Sequence, residues 1–285
     1  MNSNNNTMDK LIINEYRLGH PSFIGVKTLE ELREQALMRS IISGIYSSIY
    51  IVNDSVVKDV GIIDDESYAK LLTAFQNLQF GDSDSALQLA TDLLERYPKY
   101  SEIHRLFSFI ADNGKKYDES MKHIDIAIEC DSNNFFATLQ KARLYMDIYN
   151  EFDKAEEWLI RSLTANKYLY HAACDLGGLE LLKFKKLQET DDDNTHDKQH
   201  EAIHKAFKYF SEAREVNPLH IDAYIGICEC LFVNMDYEEC ISCVNNSISY
   251  FKYTGIYDFE REKINRLKKL YEIATEELIK SKGGV

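Results

Sequence analysis

The chain has 285 residues, of which 45% are hydrophobic, so it can bury a sizeable core in one large domain or two ordinary ones. Its net charge of −14 disfavours a nucleic-acid backbone or an anionic membrane surface as the main partner, which leaves other proteins. Only three prolines and twelve glycines interrupt abundant helix-forming residues, and this composition predicts an all-α protein.

The amino-terminal region is predicted to hold a mostly disordered segment, 1–27, followed by capping helices over 28–66. Thr28 and Glu31 form a capping box in front of apolar residues at helical spacing. The apolar stretch 37–52 is short for a bilayer crossing and contains Arg39, so no direct membrane span is predicted. Because no secretory-signal pattern is present, we expect a cytoplasmic or nuclear protein with reduced cysteines.

One amphipathic helix recurs along residues 67–250. Two copies end in the similar phrases LLERYP and AREVNP, at Pro98 and Pro218. Steps near 34 residues lead to further copies, which open with Tyr or Phe and repeat small or apolar residues on one helix face. The small residues on that face are Ala86, Ser120, Ala155, Ala206 and Cys240. The third copy contains about one extra residue.

Each copy follows another apolar helix that also carries a small residue. In uninterrupted units this residue lies about twelve positions before the small residue of its partner helix. The small residues of these first helices are Ala74, Ser108, Ala142, Gly177 and Cys228. Two helices that each present a small residue can bring their backbones close together, so each pair is predicted to form a helical hairpin.

This pattern resembles the tetratricopeptide repeat (TPR), whose period is about 34 residues. The resemblance rests on the spacing, on the small residues in both helices, on the aromatic residues that open the second helices and on the two prolines. It implies an all-α, right-handed superhelical solenoid of about five hairpins with capping helices at both ends. The usual first-helix tryptophan is missing, and no proline follows the second, third and fifth copies.

Two segments depart from the repeat pattern. The fourth unit is interrupted between its helices by an acidic insertion at 189–200, which is predicted to be a surface loop. Residues 256–282 have the pattern of a charged helix that stops at Gly283. This helix is predicted to cap the apolar end of the stack.

Four of the six cysteines lie between Cys228 and Cys243, a density that suggests a zinc or redox site. The repeat register offers a simpler interpretation, since Cys228 and Cys240 occupy the small-residue positions of the last hairpin. Free cysteine packs there as a small apolar side chain. Cys228 and Cys230 point to opposite sides of a helix, which is poor geometry for joint ligation. Packing is therefore the main prediction, with metal or redox use as the alternative.

His196, His200 and His204 recur every four residues beside the acidic run 191–193, and histidines at this spacing on a helix can ligate one metal ion. The competing interpretation is a solvated insertion whose last histidine begins the second helix. Phosphate-binding glycine loops, nucleophile elbows and zinc-protease helices are absent from the sequence. We therefore predict no catalytic, cofactor-binding or metal-binding residues.

Function is expected to reside on a binding surface. The inner walls of such solenoids are built from first helices and bind extended peptides or helices of partner proteins. Arginine and aromatic side chains are frequent energetic anchors at interfaces. The residues predicted to face this protein-binding groove are Arg105, Phe109, Gln140, Arg143 and His171.

A narrower resemblance covers about residues 66–231. SALQLATDLLERYP with KYDESMKHIDIAIECDSNN, and DKAEEWLIRSLTANKYLYHAACDLGGLELL with KAFKYFSEAREVN, are similar to paired repeats of subunit 2 of the endoplasmic reticulum (ER) membrane protein complex. This resemblance implies a non-enzymatic, cytosol-facing subunit of a membrane protein insertase, associated with the membrane through its partners. The rival interpretation is a generic TPR adaptor or assembly factor in the cytosol or nucleus.

Overall fold

A computed structural model describes residues 63–189 and 195–283. The predicted segment 1–27 and nearly all of the predicted capping helices at 28–66 lie outside the described residues. The described residues form two compact units, and the boundary between them lies between Tyr168 and Leu169. We name the described residues before this boundary the first unit and those after it the second unit.

All regular structure in the described residues is helical, as the composition predicts. The first unit contains α1 (Asp65–Gln79), α2 (Ser83–Arg96), α3 (Ser101–Asn113), α4 (Tyr117–Cys130), α5 (Phe135–Arg143) and α6 (Phe152–Ala165). The second unit contains α7 (Tyr170–Gln188), α8 (His196–Val216), α9 (Ile221–Val233), α10 (Tyr237–Tyr253) and α11 (Arg261–Gly283). Within residues 63–189 and 195–283, every helix is too short or too polar to be a membrane span.

The helices pair into the hairpins that the spacing predicts: α1/α2, α3/α4, α5/α6, α7/α8 and α9/α10. The two helices of each hairpin meet at the small residues of the repeat pattern, and we name this line of contact the seam. Ser108 and Ser120 bring their hydroxyl oxygens within 2.8 Å, and Cys240 Sγ donates to the carbonyl of Cys228 at 3.3 Å. The fully buried seam residues include Ala74, Ala86, Ser108, Ser120, Ala142, Ala155, Ala206, Cys228 and Cys240. The repeat register is confirmed.

The extra residue of the third hairpin has a structural explanation. Helix α5 ends at Arg143 and continues as a π-helix over Leu144–Tyr149. A π-helical turn contains more residues than an α-helical turn, so it absorbs the extra residue before α6 begins. Ala142 and Ala155 therefore reach the seam although they are one residue further apart than Ser108 and Ser120.

The fourth hairpin is built around the ring of Phe210 in α8. A Cβ atom added to Gly177 of α7 would lie 2.8 Å from that ring, and one added to Gly226 of α9 would lie 2.4 Å from it. The repeat pattern identifies Gly177, whereas Gly226 is not predicted. Helix α8 begins at His196, so the end of the predicted insertion 189–200 is helical.

The turns inside four hairpins share a left-handed residue at the same place. Gly81, Lys115, Asn150 and Met235 have φ angles of 84°, 58°, 54° and 63°. For a residue with a Cβ this conformation costs roughly 1–2 kcal/mol, so Lys115 and Met235 are tolerated because the flanking helices fix the turn. The packing of the flanking helices therefore overcomes the preference of these two residues for a negative φ angle.

Helix α11 packs on the last hairpin. Its Ile264 and Leu267 are buried in one apolar cluster with Val244 and Phe251 of α10. Lys263 of α11 also forms an ion pair with Asp222 of α9 at 2.8 Å. The buried residues of α11, Ile264, Leu267 and Ala274, therefore belong to the core of the last hairpin.

Candidate functional site

Three successive first helices, α1, α3 and α5, present related residues in the first unit. Phe75, Phe109 and Arg143 are separated by steps of 34 residues, so they occupy the same repeat position. All three are half-buried. Gln140 lies on the same side of α5 as Arg143, one turn earlier. We name Phe75, Phe109, Gln140 and Arg143 the first-helix surface.

Arg105 lies beneath this surface, enclosed by aromatic rings. Its guanidinium carbon is 4.5 Å from the ring centre of Phe75, 5.3 Å from that of Phe109 and 5.2 Å from that of Phe136. Cations are attracted to the faces of such rings. Only 3% of Arg105 is exposed. The predicted groove residue Arg105 is therefore an internal residue that holds the aromatic side chains together.

The charge of Arg105 is balanced by Glu102, one turn earlier in α3. Arg105 Nε donates to Glu102 Oε1 at 2.8 Å, and Nη2 donates to Oε2 at 2.7 Å. A bidentate pair of this kind is stronger than a single ionic hydrogen bond. Asn134, the residue that caps α5, donates from Nδ2 to Glu102 Oε1 at 2.8 Å. The ion pair thereby joins the second hairpin to the third.

Neither Glu102 nor Asn134 is predicted from the sequence. A charged pair three residues apart on a helix usually lies at the surface, and this pair is instead almost completely buried. A usable signal exists in the period, because Phe136 lies 34 residues after Glu102 and Phe75 lies 34 residues before Phe109. Comparison of repeat-equivalent positions therefore pairs Phe75 with Phe109, and it places Phe136 of α5 at the position that Glu102 holds in α3.

Gln140 is the most informative residue of the first-helix surface. It is 6% exposed, and its Nε2 donates to Ser108 Oγ in the seam of the preceding hairpin at 2.9 Å. No donor in the described part of the chain reaches its Oε1. A buried acceptor without a partner costs about 1–3 kcal/mol. Gln140 is therefore held in place by Ser108 and connects α5 to the seam of the preceding hairpin.

His171, the remaining predicted groove residue, belongs to the second unit. Its ring stacks on Tyr170 with centroids 3.9 Å apart and meets the edge of His220 at 5.7 Å. Tyr170 and His220 are themselves 4.7 Å apart. His171 thus forms a separate aromatic cluster with its own neighbours in α7 and at the start of α9. Its predicted role in binding stays a prediction.

The cysteine-rich segment lies in the core of the last hairpin. Cys228, Cys230 and Cys240 are buried, and burial raises the pKa of Cys230 and that of Cys240 to about 12. Thiols with raised pKa values are poor metal ligands because ligation requires the thiolate. In residues 63–189 and 195–283, no group of three or more His, Cys, Asp or Glu side chains is arranged to hold a metal ion.

The histidines of the predicted insertion lie along α8. His196, His200 and His204 are exposed. His200 and His204 form one wall of a small cavity of about 220 Å³ between α8 and the end of α9, with Cys230 and Asp236 on the other side. Residues 191–193, the acidic part of the suggested metal site, lie outside the described residues.

Comparison with known proteins defines the fold. No protein-family model matches the sequence, and no curated protein matches it either. Among solved structures, PilF of Pseudomonas aeruginosa is similar with a TM-score of 0.52 at 15% identity, over 76% of this chain and 98% of that chain. A thermophilic TPR protein of Thermus thermophilus has a TM-score of 0.51 at 12% identity, over 73% of this chain and 98% of that one.

A monomeric mutant of IFIT1 with Gppp-AAAA has a TM-score of 0.57 at 14% identity, over 94% of this chain and 63% of that chain. At such low identities these similarities concern the fold alone. The hairpin seams and the period of the first-helix positions agree with them. The described part of this chain therefore has the fold of the tetratricopeptide-repeat proteins.

Proposed function

We propose that the chain is a non-enzymatic scaffold that binds another protein along the first-helix surface. The observation that carries this proposal is the row of half-buried side chains, Phe75, Phe109 and Arg143, at one repeat position on three successive first helices. Half-buried Phe75 and Phe109 lie on neighbouring first helices, and aromatic side chains of this kind are frequent anchors at interfaces. An extended segment that places an apolar side chain on these rings would fit.

The residues of this surface have different roles in the proposal. Arg105 is engaged by Glu102 and enclosed by rings, so it stiffens the surface. Phe109 and Arg143 are half-buried and contribute contact area and charge. A rigid surface binds more tightly than a mobile one, because less conformational freedom is lost on association.

The more specific form of the proposal is a structural subunit of the ER membrane protein complex, at the cytosolic face of the membrane. Its support is the sequence resemblance of residues 66–231 to subunit 2 of that complex. Such a subunit would reach the membrane through membrane-embedded partners. The second candidate is a generic TPR adaptor or assembly factor with soluble partners, which the same surface would serve.

The test is purification of the full chain from its native cells in mild detergent, followed by identification of co-purifying proteins. Wild type is compared with Phe109→Ala and Arg143→Ala on the first-helix surface. Leu87→Ala serves as the matched control, because Leu87 is an exposed residue of α2, a second helix. Circular dichroism melting establishes that each variant is folded.

We expect membrane-protein subunits to co-purify with wild type and with Leu87→Ala, and to be lost from the two surface variants. Recovery of soluble partners alone would reject the insertase form and favour the adaptor. Partners that remain bound to both surface variants would contradict the proposed binding surface.

A further inference from the structure

Three aromatic rings stack on one side of the second hairpin. His104 and Phe107 are one turn apart on α3, and His123 of α4 packs against both. The ring centroid of His123 is 5.0 Å from that of Phe107, with the ring planes 15° apart. It is 5.8 Å from that of His104, with the planes 27° apart. We name His104, Phe107 and His123 the histidine stack.

The turn before α3 holds His104 in one neutral form. Its Nε2 lies 2.9 Å from the carbonyl oxygen of Pro98, and a carbonyl can accept but not donate, so Nε2 carries the proton. His104 is 6% exposed, and its Nδ1 has no hydrogen-bond partner within residues 63–189 and 195–283. A second proton on this ring would therefore create a buried N–H group without an acceptor there.

His123 is the half-buried member of the stack, and its surroundings also favour the neutral ring. Its Nδ1 is buried and meets no hydrogen-bond partner among the described residues. Burial and the neighbouring His104 lower the pKa of His123 below its ordinary value of 6.5. Glu119, one turn earlier in α4, opposes this effect, and Lys122 adds to it.

Other charged groups along α4 are engaged in contacts of their own. The pairs are Lys116 with Glu119 at 3.4 Å, Tyr149 of the π-helix with Asp118 at 3.2 Å, and Lys141 of α5 with Asp125 at 2.6 Å. From the turn after α2, the stack receives the uncharged carbonyl of Pro98. Glu119, the carboxylate that favours a charged His123, is therefore shared with a lysine.

We propose that the histidine stack is a pH-sensitive contact, in which proton uptake by His123 loosens α4 from α3 in mildly acidic solution. Histidine is the side chain whose ordinary titration falls between pH 5 and 8. Because the pKa of His123 is lower in the folded chain than in the unfolded chain, the unfolded chain binds more protons. The stabilising contribution of the neutral stack is thus complete above about pH 6.5 and is lost as the pH falls below it.

The second hairpin also carries Phe109 of the first-helix surface, in the same helix as His104 and Phe107. Loosening of α3 from α4 would therefore reach that surface, and a bound partner would be released at lower pH. This consequence rests on the proposed function. Proton uptake and loosening of the hairpin do not, and both are measured on the purified full chain without any partner.

The first experiment is an NMR titration of the ring protons of the eight histidines between pH 8 and pH 5. The resonance of His123 is assigned by its absence from His123→Phe. We expect its titration midpoint to lie below the midpoint of the same residue in concentrated urea. His104→Gln keeps a donor for the Pro98 carbonyl but removes the neighbouring imidazole, so it should move the midpoint of His123 upward.

The second experiment measures urea unfolding at pH 7.5 and pH 5.5 by the fluorescence of Trp158, which packs against the apolar residues of α4. The urea midpoint of wild type should fall between these pH values. His123→Phe keeps a ring in the stack but cannot take up a proton, so its midpoint should fall less. His123→Gln is a second replacement that does not titrate, and His196→Phe, at an exposed position of α8, should behave like wild type.

Hydrogen exchange locates the effect. Between pH 7.5 and pH 5.5, amide protection corrected for the intrinsic rate should fall more in α3 and α4 than in α9 and α10. Equal losses in the two hairpins would overturn the proposal. It would also fail if His123 titrated at the same pH in the folded and unfolded chains, or if both His123 variants kept the pH dependence of wild type.

Discussion

The α3/α4 hairpin and the α9/α10 hairpin fill the same repeat position with different chemistry. Ser108 and Ser120 meet as two hydroxyl groups, whereas Cys228 and Cys240 meet as two sulfur-bearing side chains. All four residues are fully buried. The repeat therefore requires a small side chain at the seam and does not specify its polarity.

The serine pair and the cysteine pair have different consequences for the residues around the seam. Ser108 accepts a hydrogen bond from Gln140 of the next hairpin, so the polar seam positions a residue of the first-helix surface. The cysteine seam stays within its own hairpin, where Cys240 Sγ donates to the carbonyl of Cys228 at 3.3 Å. The polar seam therefore connects two hairpins, whereas the cysteine seam connects the two helices of one hairpin.

The largest expected effect concerns the buried ion pair of the α3/α4 hairpin. Glu102→Ala would leave Arg105 buried without its carboxylate, and broken buried pairs typically cost about 3–5 kcal/mol of unfolding free energy. Urea unfolding followed by the fluorescence of Trp158 measures this, because the chain has a single tryptophan and it lies in α6 of the first unit.

The control for Glu102→Ala replaces both charges. In Glu102→Leu with Arg105→Leu no charge is left unpaired, so much of the stability should return. If the single variant unfolded at the wild-type urea concentration, the buried ion pair would not join the second and third hairpins as described.

The next largest effect tests the apolar packing of the second unit. Gly226→Ala forces a Cβ against the ring of Phe210 and should cost about 1–3 kcal/mol, measured by urea unfolding with circular dichroism. Phe210→Leu in the same chain should recover part of the loss. Gly178→Ala is the matched control, because nothing lies within 4 Å of its added Cβ and alanine favours a helix by roughly 0.5–1 kcal/mol.

A direct comparison of the two seams is expected to give a smaller difference. Ser108→Ala removes the partner of both Ser120 and Gln140 and should cost about 1–3 kcal/mol. Cys240→Ala should cost less, about 1 kcal/mol, because only a small apolar volume is lost. Equal losses of unfolding free energy in the two variants would show that burial alone, and not the hydrogen bonds of Ser108, determines how much the seam stabilises the fold.

The sequence predicts the hairpins and their seams because a 34-residue period, with small residues at fixed places in it, shows which face of each helix contacts its partner. It does not predict that Arg105 is internal, since its burial depends on Glu102, on Asn134 and on rings from three hairpins. Likewise, the need for glycine at Gly226 depends on the ring of Phe210 from another helix. Contacts between distant segments decide what a side chain does within a predicted element.

The α1/α2 hairpin extends the comparison to a seam without any polar group. Ala74 and Ala86 fill its centre, and the polar link lies at the exposed end of the hairpin. Asp64 caps α1 through Ser67 and also accepts hydrogen bonds from the Tyr97 hydroxyl and from Arg96 Nη2, the latter at 3.1 Å. The Tyr97 hydrogen bond is the main reason that the pKa of Asp64 is lowered to about 2.

The smallest expected effect follows from this lowered pKa. Because the pKa of Asp64 is lower in the folded state, its contribution is present above the unfolded value of about 3.9 and is lost as the pH falls toward 2. Solvent screens this exposed carboxylate, so Asp64→Asn should cost at most about 0.5 kcal/mol at pH 6. Melting temperatures of wild type and Asp64→Asn should therefore differ at pH 6 and converge toward pH 2, whereas Asp92→Asn, an exposed residue of α2, controls for the loss of charge. A difference that stayed constant between pH 6 and pH 2 would mean that the asparagine disturbs the helix cap, and that the hairpin with the alanine seam has no ionic link at its end.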